Sequence, residues 1–395
     1  MFNRYSNFSF TYELTGDTPH SRLGKIVTPH GVVETPAFIF CATKGAMKAV
    51  TMPQVKEAGT QIILSNTYHM MLQPGAEVVK KMGGLHKFCG WNGPMLTDSG
   101  GFQIFSLGHG GVAAEIKGKG RPQGMASQVK IKEEGAIFRS YIDGAKWILT
   151  PEKSIQVQRD LGPDLVVVLD ECTPFHVDKA YTRQSMHLSH RWAQRSLAEF
   201  DRGNDGAQAL YGIIQGGVYE DLRREAIDFV NDHDFFGHAI GGSLGADKGQ
   251  MAEVVGFTAP YLRKDRPIHL LGIGGISDIF MGVRQGIDTF DCVHPTRIAR
   301  HGGALVRGSE RGHLQIRNSA YREDSNPLQE GCACHTCQTY SRAYIHHLFK
   351  AKEILGMQLI TLHNIHFMND LLADIRHGLK TKTLHEVEER WFLAD

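Results

Sequence analysis

No stretch of this 395-residue chain is apolar for long enough to cross a bilayer. Its start, Met1 to Phe10, has neither the basic segment nor the apolar core that directs secretion. The expectation is a cytoplasmic protein with no membrane partner. A disulfide framework is also excluded, because the seven cysteines are odd in number and Cys41, Cys89, Cys172 and Cys292 are scattered singly. An excess of either charge is lacking too: 43 Lys and Arg against 42 Asp and Glu argue against a histone-like coat and leave room only for a local basic patch. What remains is an enzyme-sized chain, rich in glycine, with enough apolar residues for a sizeable core.

The other three cysteines are grouped. Cys332, Cys334 and Cys337 precede His363 in the pattern C-x-C-x2-C-x25-H. Three thiolates and one imidazole complete a tetrahedral zinc set, which predicts a closed structural Zn2+ site, one per subunit. The same completeness argues against a zinc-dependent hydrolase, which needs an open coordination position, and places the chemistry elsewhere.

Eight short apolar runs end in turn residues and read as buried parallel strands: 35–40, 61–64, 94–97, 164–169, 209–214, 238–240, 267–271 and 287–290. Helical patterns separate most of them, over 52–58, 151–161, 180–199, 219–232, 248–262 and 277–285. The repeat predicts an α/β fold of the irregular (β/α)8 TIM barrel kind, with a doubly wound open sheet as the alternative. In such a barrel the active groups project from the C-terminal strand ends. Here those ends run into Asp98-Ser99-Gly100-Gly101-Phe102, Asp170-Glu171-Cys172, Gln215-Gly216-Gly217, Gly241-Gly242-Ser243, Gly272-Ile273-Gly274-Gly275 and Asp291-Cys292. Three carboxylates beside glycine-rich turns suit a pocket for a planar hydrogen-bonding molecule. The competing expectation is that each Asp merely caps the helix that follows it.

Between the third and fourth strands, alternating segments at 128–132 and 136–141 flank Glu133-Glu134-Gly135 and predict a hairpin. The basic loop Lys117 to Arg121 before it reads as solvated surface rather than a phosphate contact. After the last strand the repeat breaks. The chain divides into a barrel of residues 1–305 and 370–395 and an inserted zinc-binding subdomain of 306–369, with a helix over 355–372 near His363.

The blocks Ser65-Asn66-Thr67-Tyr68-His69, Asp98 to Gln103, Asp170 to Pro174 and Phe290 to Arg297, together with the set of three cysteines and one histidine, resemble the tRNA-guanine transglycosylases of the bacterial type. The resemblance covers nearly the whole chain. It implies a (β/α)8 barrel with a zinc subdomain, acting as a homodimer. The implied reaction exchanges the wobble guanine of tRNAs with GUN anticodons for a 7-deazaguanine, queuine or preQ1, by covalent double displacement. Asp291 matches the family's nucleophile and Asp98 its general acid and base, which fits the need to stabilise and trap an oxocarbenium-like ribose. An ionised Asp170 can accept from a guanine edge, while the Gln215 amide and a backbone N–H near Gly242 can donate to its O6. Phe102 would stack on the ring, at a position where Tyr is expected in many relatives. Ser99, Gly100, Gly101, Cys172, Gly245 and Leu271 complete the expected base pocket.

Contacts to tRNA are implied for Gly272, Ile273, Gly274, Gly275, Ile276, Ser277 and Asp278, and for Thr296, Arg297, Ile298, Ala299 and Arg300. Arg307, Arg311, Arg317 and Arg322 are individually surface residues that can add phosphate contacts. His294, Ile298 and His301 depart from the family pattern, as does Gly241-Gly242-Ser243-Leu244-Gly245-Ala246-Asp247, where bacterial relatives read Gly-Gly-Leu-Ser-Val-Gly-Glu. Gly245 in place of Val is expected to open room for queuine, whereas Cys172 belongs to the bacterial pattern. Two other functions compete. A non-catalytic tRNA-binding subunit of the same family is disfavoured by the presence of both Asp98 and Asp291. An archaeosine-type enzyme is disfavoured because its relatives carry additional C-terminal RNA-binding domains.

Overall fold

The computed structural model describes residues 4–108, 129–173, 175, 177–309 and 312–393. An antiparallel sheet comes first, built from β1 (Ser9–Leu14), β2 (Arg22–Thr28) and β3 (Gly31–Thr35) in that order. Sequence reading missed it. β2 alternates buried and exposed residues, the mark of a sheet with one wet face, but β1 is exposed along most of its length and offers no such signal.

The barrel begins with β4 (Ala37–Cys41), β5 (Ile63–Ser65) and β6 (Met95–Thr97). A side sheet of β7 (Lys130–Lys132), β8 (Gly135–Arg139) and β9 (Lys146–Leu149) interrupts it. The barrel then resumes with β10 (Leu165–Val167), β11 (Ala209–Ile214), β12 (Gly237–Ile240), β13 (Ile268–Leu270) and β14 (Thr289–Cys292). All eight barrel strands pair in parallel, and the ring closes where β14 meets β4, with Asp291 opposite Ile39. Closure excludes the open doubly wound sheet. The eight strands coincide with the eight apolar runs, because a strand covered on both faces carries no polar alternation.

The expected hairpin is present but gains β9 as a third strand, and Arg191 reaches back to clamp the Glu133 carboxylate at its turn. The Lys117 to Arg121 loop and Arg311 lie outside the described residues. Local signals set the helix ends. The Thr150 hydroxyl accepts from Lys153 N–H to start helix Pro151–Leu161, and Gly162 ends it in the left-handed conformation at φ 70°. The helix expected over 248–262 stops at Gly256, and Pro260 lies in a short 3-10 turn beyond it.

After the barrel, β15 (Gly303–Leu305) and β16 (His313–Gln315) form a hairpin, followed by helices His335–Thr339 and Arg342–Ala351. A 28-residue helix, Ile354–Thr381, runs nine residues past the expected end. Its early residues Leu359 and Ile360 join a small second core with Leu314, Leu328 and Ile345. Its later residues, including Ile365, Met368 and Leu372, pack into the main core. Among the described residues, no helix is long and apolar enough to cross a membrane.

Candidate active site and metal centre

Asp98, Asp170 and Asp291 all emerge at the C-terminal end of the barrel, from β6, β10 and β14. Asp170 and Asp291 do not spend their carboxylates on the helices that follow them. Asp170 Oδ2 accepts from the Gln215 amide at 2.5 Å, and Asp291 Oδ1 accepts from Gly272 N–H at 2.8 Å and from His269 Nε2 at 3.2 Å. Asp98 takes the Thr67 N–H at 2.8 Å, the Asn66 amide at 2.5 Å and the Gln103 amide at 3.0 Å. Among the described residues, none of the three pairs with a Lys or Arg.

Burial without a cation has an electrostatic consequence. It pushes the Asp98 carboxyl up to about 7, with the nearby Asp291 charge adding to the effect and hydrogen bonds from Thr67, Gln103 and Gly100 opposing it. Burial raises Asp170 to about 6, against the Gln215 hydrogen bond and with Glu171 adding to the rise. A carboxyl near 7 can both give and take a proton at neutral pH. One somewhat lower stays mostly ionised and accepts hydrogen bonds from donors.

The other residues expected in a base pocket lie on the same strand ends and turns. Ser99 is buried and its hydroxyl accepts from Gly101 N–H, while Gly100 adopts φ +84° and a Cβ there would meet the Tyr68 backbone nitrogen at 3.2 Å. Phe102 is 46% exposed and has no ring partner among the described residues, so its face is available for stacking. Gln215 is buried, its Oε1 has no hydrogen-bond partner among the described residues, and a side chain at Gly242 would strike that oxygen at 2.3 Å. Cys172 and Leu271 are half-buried beside the mouth.

Gly245 has a backbone reason of its own. Its φ is +122° and a Cβ there would meet Gln250 at 2.7 Å, so the glycine is demanded by the local chain independently of substrate size. Asp247 caps helix Lys248–Gly256 by accepting from Gln250 N–H at 2.9 Å.

Two segments flank the mouth. Gly272 to Asp278 is partly exposed and ends in the first turn of helix Ile276–Arg284, where Lys248 bonds Ser277 Oγ at 2.7 Å. Helix His294–Ala299 begins three residues after Asp291; Thr296 and Ala299 are buried, Arg297 is exposed, and Arg300 keeps a buried Nε without a partner among the described residues. A groove of about 430 Å³ joins the two segments, with Lys248, Gly275, Ser277 and His294 on its walls.

Sequence reading missed three residues of the site. His269 and Cys41 lie within strands and read as core, yet both face Asp291, with Cys41 Sγ 3.7 Å from Oδ2. Arg223 is fully buried and donates to the carbonyls of Ile214, Gly217, Gly241 and Ser243, tying together the loops that carry Gln215 and Gly242. Its signal was a cation on the apolar stripe of helix Glu220–Asp232 beside Leu222, Ala226 and Ile227.

The three cysteines and the distant histidine are brought together. The sulfurs of Cys332, Cys334 and Cys337 stand 3.7, 3.5 and 3.3 Å from His363 Nδ1. Tetrahedral bonds to a common zinc ion imply sulfur to nitrogen separations of about 3.6 Å. His363 Nε2 donates to the Leu305 carbonyl at 2.8 Å, which leaves Nδ1 as the lone-pair atom. The four residues can therefore hold a metal ion and are compatible with zinc. A second group at the far end of the barrel, His30, His86 and Asp164, is also close enough for a metal. Its geometry is otherwise, because the two His86 nitrogens face the carbonyls of Gly162 and Gly93 at 3.2 and 3.1 Å.

A family model described as Queuine tRNA-ribosyltransferase matches residues 17–394. The chain is 46% identical over 397 residues to a queuine tRNA-ribosyltransferase of Roseiflexus sp. (strain RS-1), covering 97% of this chain and 99% of that protein. It is 46% identical over 372 residues to one of Caldanaerobacter subterraneus subsp. tengcongensis, covering 94% and 93%. It is also 45% identical over 386 residues to one of Idiomarina loihiensis, covering 97% of each. With family match and barrel mouth in agreement, the chain belongs to the queuine tRNA-ribosyltransferase family.

Proposed function

We propose that this protein is a tRNA-guanine transglycosylase that exchanges the wobble guanine of GUN-anticodon tRNAs for a 7-deazaguanine, with Asp291 as nucleophile and Asp98 as general acid and base. The observation that carries the reading is the set of carboxylates at one barrel mouth without a Lys or Arg partner among the described residues, with Asp98 raised to about 7. In the first half-reaction an Asp291 oxygen bonds to ribose C1′ as the C1′–N9 bond breaks. The electron pair leaves with guanine, which takes a proton from Asp98. In the second, Asp98 accepts the N9 proton of the incoming base, N9 bonds to C1′, and the bond to Asp291 breaks. The proton account closes, and two displacements retain configuration.

Asp170 would accept from the N1–H and exocyclic amine of the base, with the Gln215 amide and Gly242 N–H at its O6 and Phe102 on its face. Ser99, Gly100, Gly101, Cys172 and Leu271 would complete the pocket. The segments Gly272 to Asp278 and Thr296 to Arg300 would hold the anticodon loop, with Arg297 exposed for phosphate contact. Cys332, Cys334, Cys337 and His363 would hold one Zn2+ per subunit, a structural ion that organises residues 306–369 against the barrel of 1–305 and 370–395. The working form would be a cytoplasmic homodimer. Gly245 is compatible with queuine as well as preQ1, and competition between the two bases for incorporation decides which is preferred.

The test is denaturing-gel detection of a tRNA adduct, with a deazaguanine inhibitor holding the intermediate. Wild type should give the adduct and Asp291→Asn should not. An undiminished adduct in the variant removes Asp291 from the nucleophile's role.

A further inference from the structure

The parallel register of β13 and β14 sets His269 beside Thr289. Side chains two apart on a strand share a face, so Asp291 lies on the same inward side as Thr289. The contacts follow this geometry. His269 Nδ1 is 2.9 Å from Thr289 Oγ1, and His269 Nε2 is 3.2 Å from Asp291 Oδ1. His269 and Thr289 are almost wholly buried, at 1% and 2% exposure, so water does not compete for these bonds.

Asp291 therefore has two unlike oxygens. Oδ1 accepts from both His269 and Gly272 N–H, whereas among the described residues Oδ2 has only the Cys41 thiol, a weak donor, at 3.7 Å. An oxygen with two N–H donors is fixed in place and has its lone pairs engaged. The other keeps its lone pairs for bond formation.

We propose that Thr289 and His269 form a positioning relay that fixes Asp291 Oδ1 and presents Oδ2 as the attacking atom, resting on the reading of Asp291 as nucleophile. The carboxylate can only accept, so His269 Nε2 carries the hydrogen and donates to Oδ1. Nδ1 then accepts from the Thr289 hydroxyl, which fixes this tautomer of the ring. His269 never touches the ribose. It acts through Asp291, as Gly272 does from the neighbouring turn.

Two amide substitutions separate the halves of the relay. In His269→Gln the amide nitrogen can take the place of Nε2 and still donate to Asp291. In His269→Asn the shorter amide reaches only the position of Nδ1, beside Thr289. The measurement is the single-turnover rate of adduct formation with saturating tRNA, alongside the tRNA dissociation constant and the thermal midpoint. His269→Asn should slow adduct formation by about tenfold to a hundredfold, the worth of one hydrogen bond to a charged group. Its tRNA affinity should stay unchanged, and His269→Gln should restore most of the rate. Thr289→Val should lose less, under about tenfold.

A wild-type rate in His269→Asn, or an equal loss in the Gln and Asn variants, overturns the relay. If the His269 variants fail to fold, Thr289→Val carries the test, and a wild-type rate there overturns it as well. Failure of the underlying reading looks different: wild type itself would form no adduct, or Asp291→Asn would form it undiminished.

Discussion

At the N-terminal ends of the barrel strands, Asp288 receives the Arg22 guanidinium through two nitrogens and the Ile268 N–H. Asp164 there lies against His30 and His86. At the opposite ends, Asp98, Asp170 and Asp291 have amides, N–H groups, one imidazole and the Cys41 thiol for company. The residue type is the same, but the partners differ. Burial alone would raise the Asp164 carboxyl, yet hydrogen bonds from His86 and His30 hold it below its ordinary value, whereas at Asp288 burial outweighs even the Arg22 partner and the carboxyl is raised. At the mouth, burial prevails over the hydrogen bonds and raises Asp98 and Asp170. One end spends its carboxylates on holding the N-terminal sheet to the barrel. The other leaves them, among the described residues, without a Lys or Arg partner.

The largest effect should come from the mouth. Asp98→Asn should lower guanine exchange by about a hundredfold to ten-thousandfold, the range for a general acid and base, read as incorporation of labelled guanine into tRNA. A loss below tenfold would mean that Asp98 is no different in kind from Asp288. The complementary substitution, Asp288→Asn, should cost about 3–5 kcal/mol of stability by leaving Arg22 buried without its partner. Exchange per folded molecule should be unchanged, which denaturant unfolding and active-site titration together can show.

Phe102→Ala should weaken capture of the base by about 1–3 kcal/mol, the worth of one aromatic stacked on a base, visible in KM for the free base. The smallest effect concerns pH. Between the ordinary carboxyl value near 3.8 and about 7, folded Asp98 retains a proton that the unfolded chain has released. Stability therefore falls as pH rises through that window. Asp98→Asn removes this penalty, so its thermal midpoint should exceed that of wild type by a few degrees at pH 8 and by less at pH 5. An equal difference at both pH values would contradict the raised carboxyl.

What the sequence disclosed follows the same division. The eight barrel strands were legible because each is a short apolar run that ends at a polar or glycine turn, and the three mouth carboxylates stood at those ends. The N-terminal sheet was not, since exposed strands such as β1 carry no burial signal. β9, a four-residue strand ahead of Pro151, was too short to separate from its turn. His269 was hidden for a different reason: a polar residue inside a buried strand reveals its partners only once the register of the neighbouring strand is known. Arg223 was hidden likewise, because its four acceptors are backbone carbonyls and leave no mark in side-chain pattern.

His363 and Asn364 are consecutive on the long helix, and both are fully buried. The first points Nδ1 at three cysteine sulfurs, and the second donates to the carbonyls of Pro295 and Gly303 and accepts from Leu305 N–H. Consecutive residues on a helix are about 100° apart, so no rotation can improve one set of contacts without breaking the other. The helix is thus keyed in a single angular setting by two unrelated chemistries. Pro295 is only four positions from Asp291, so an insertion or deletion ahead of His363 would shift the cysteine-histidine cluster and the backbone leading from Asp291 together, and neither could be repaired alone.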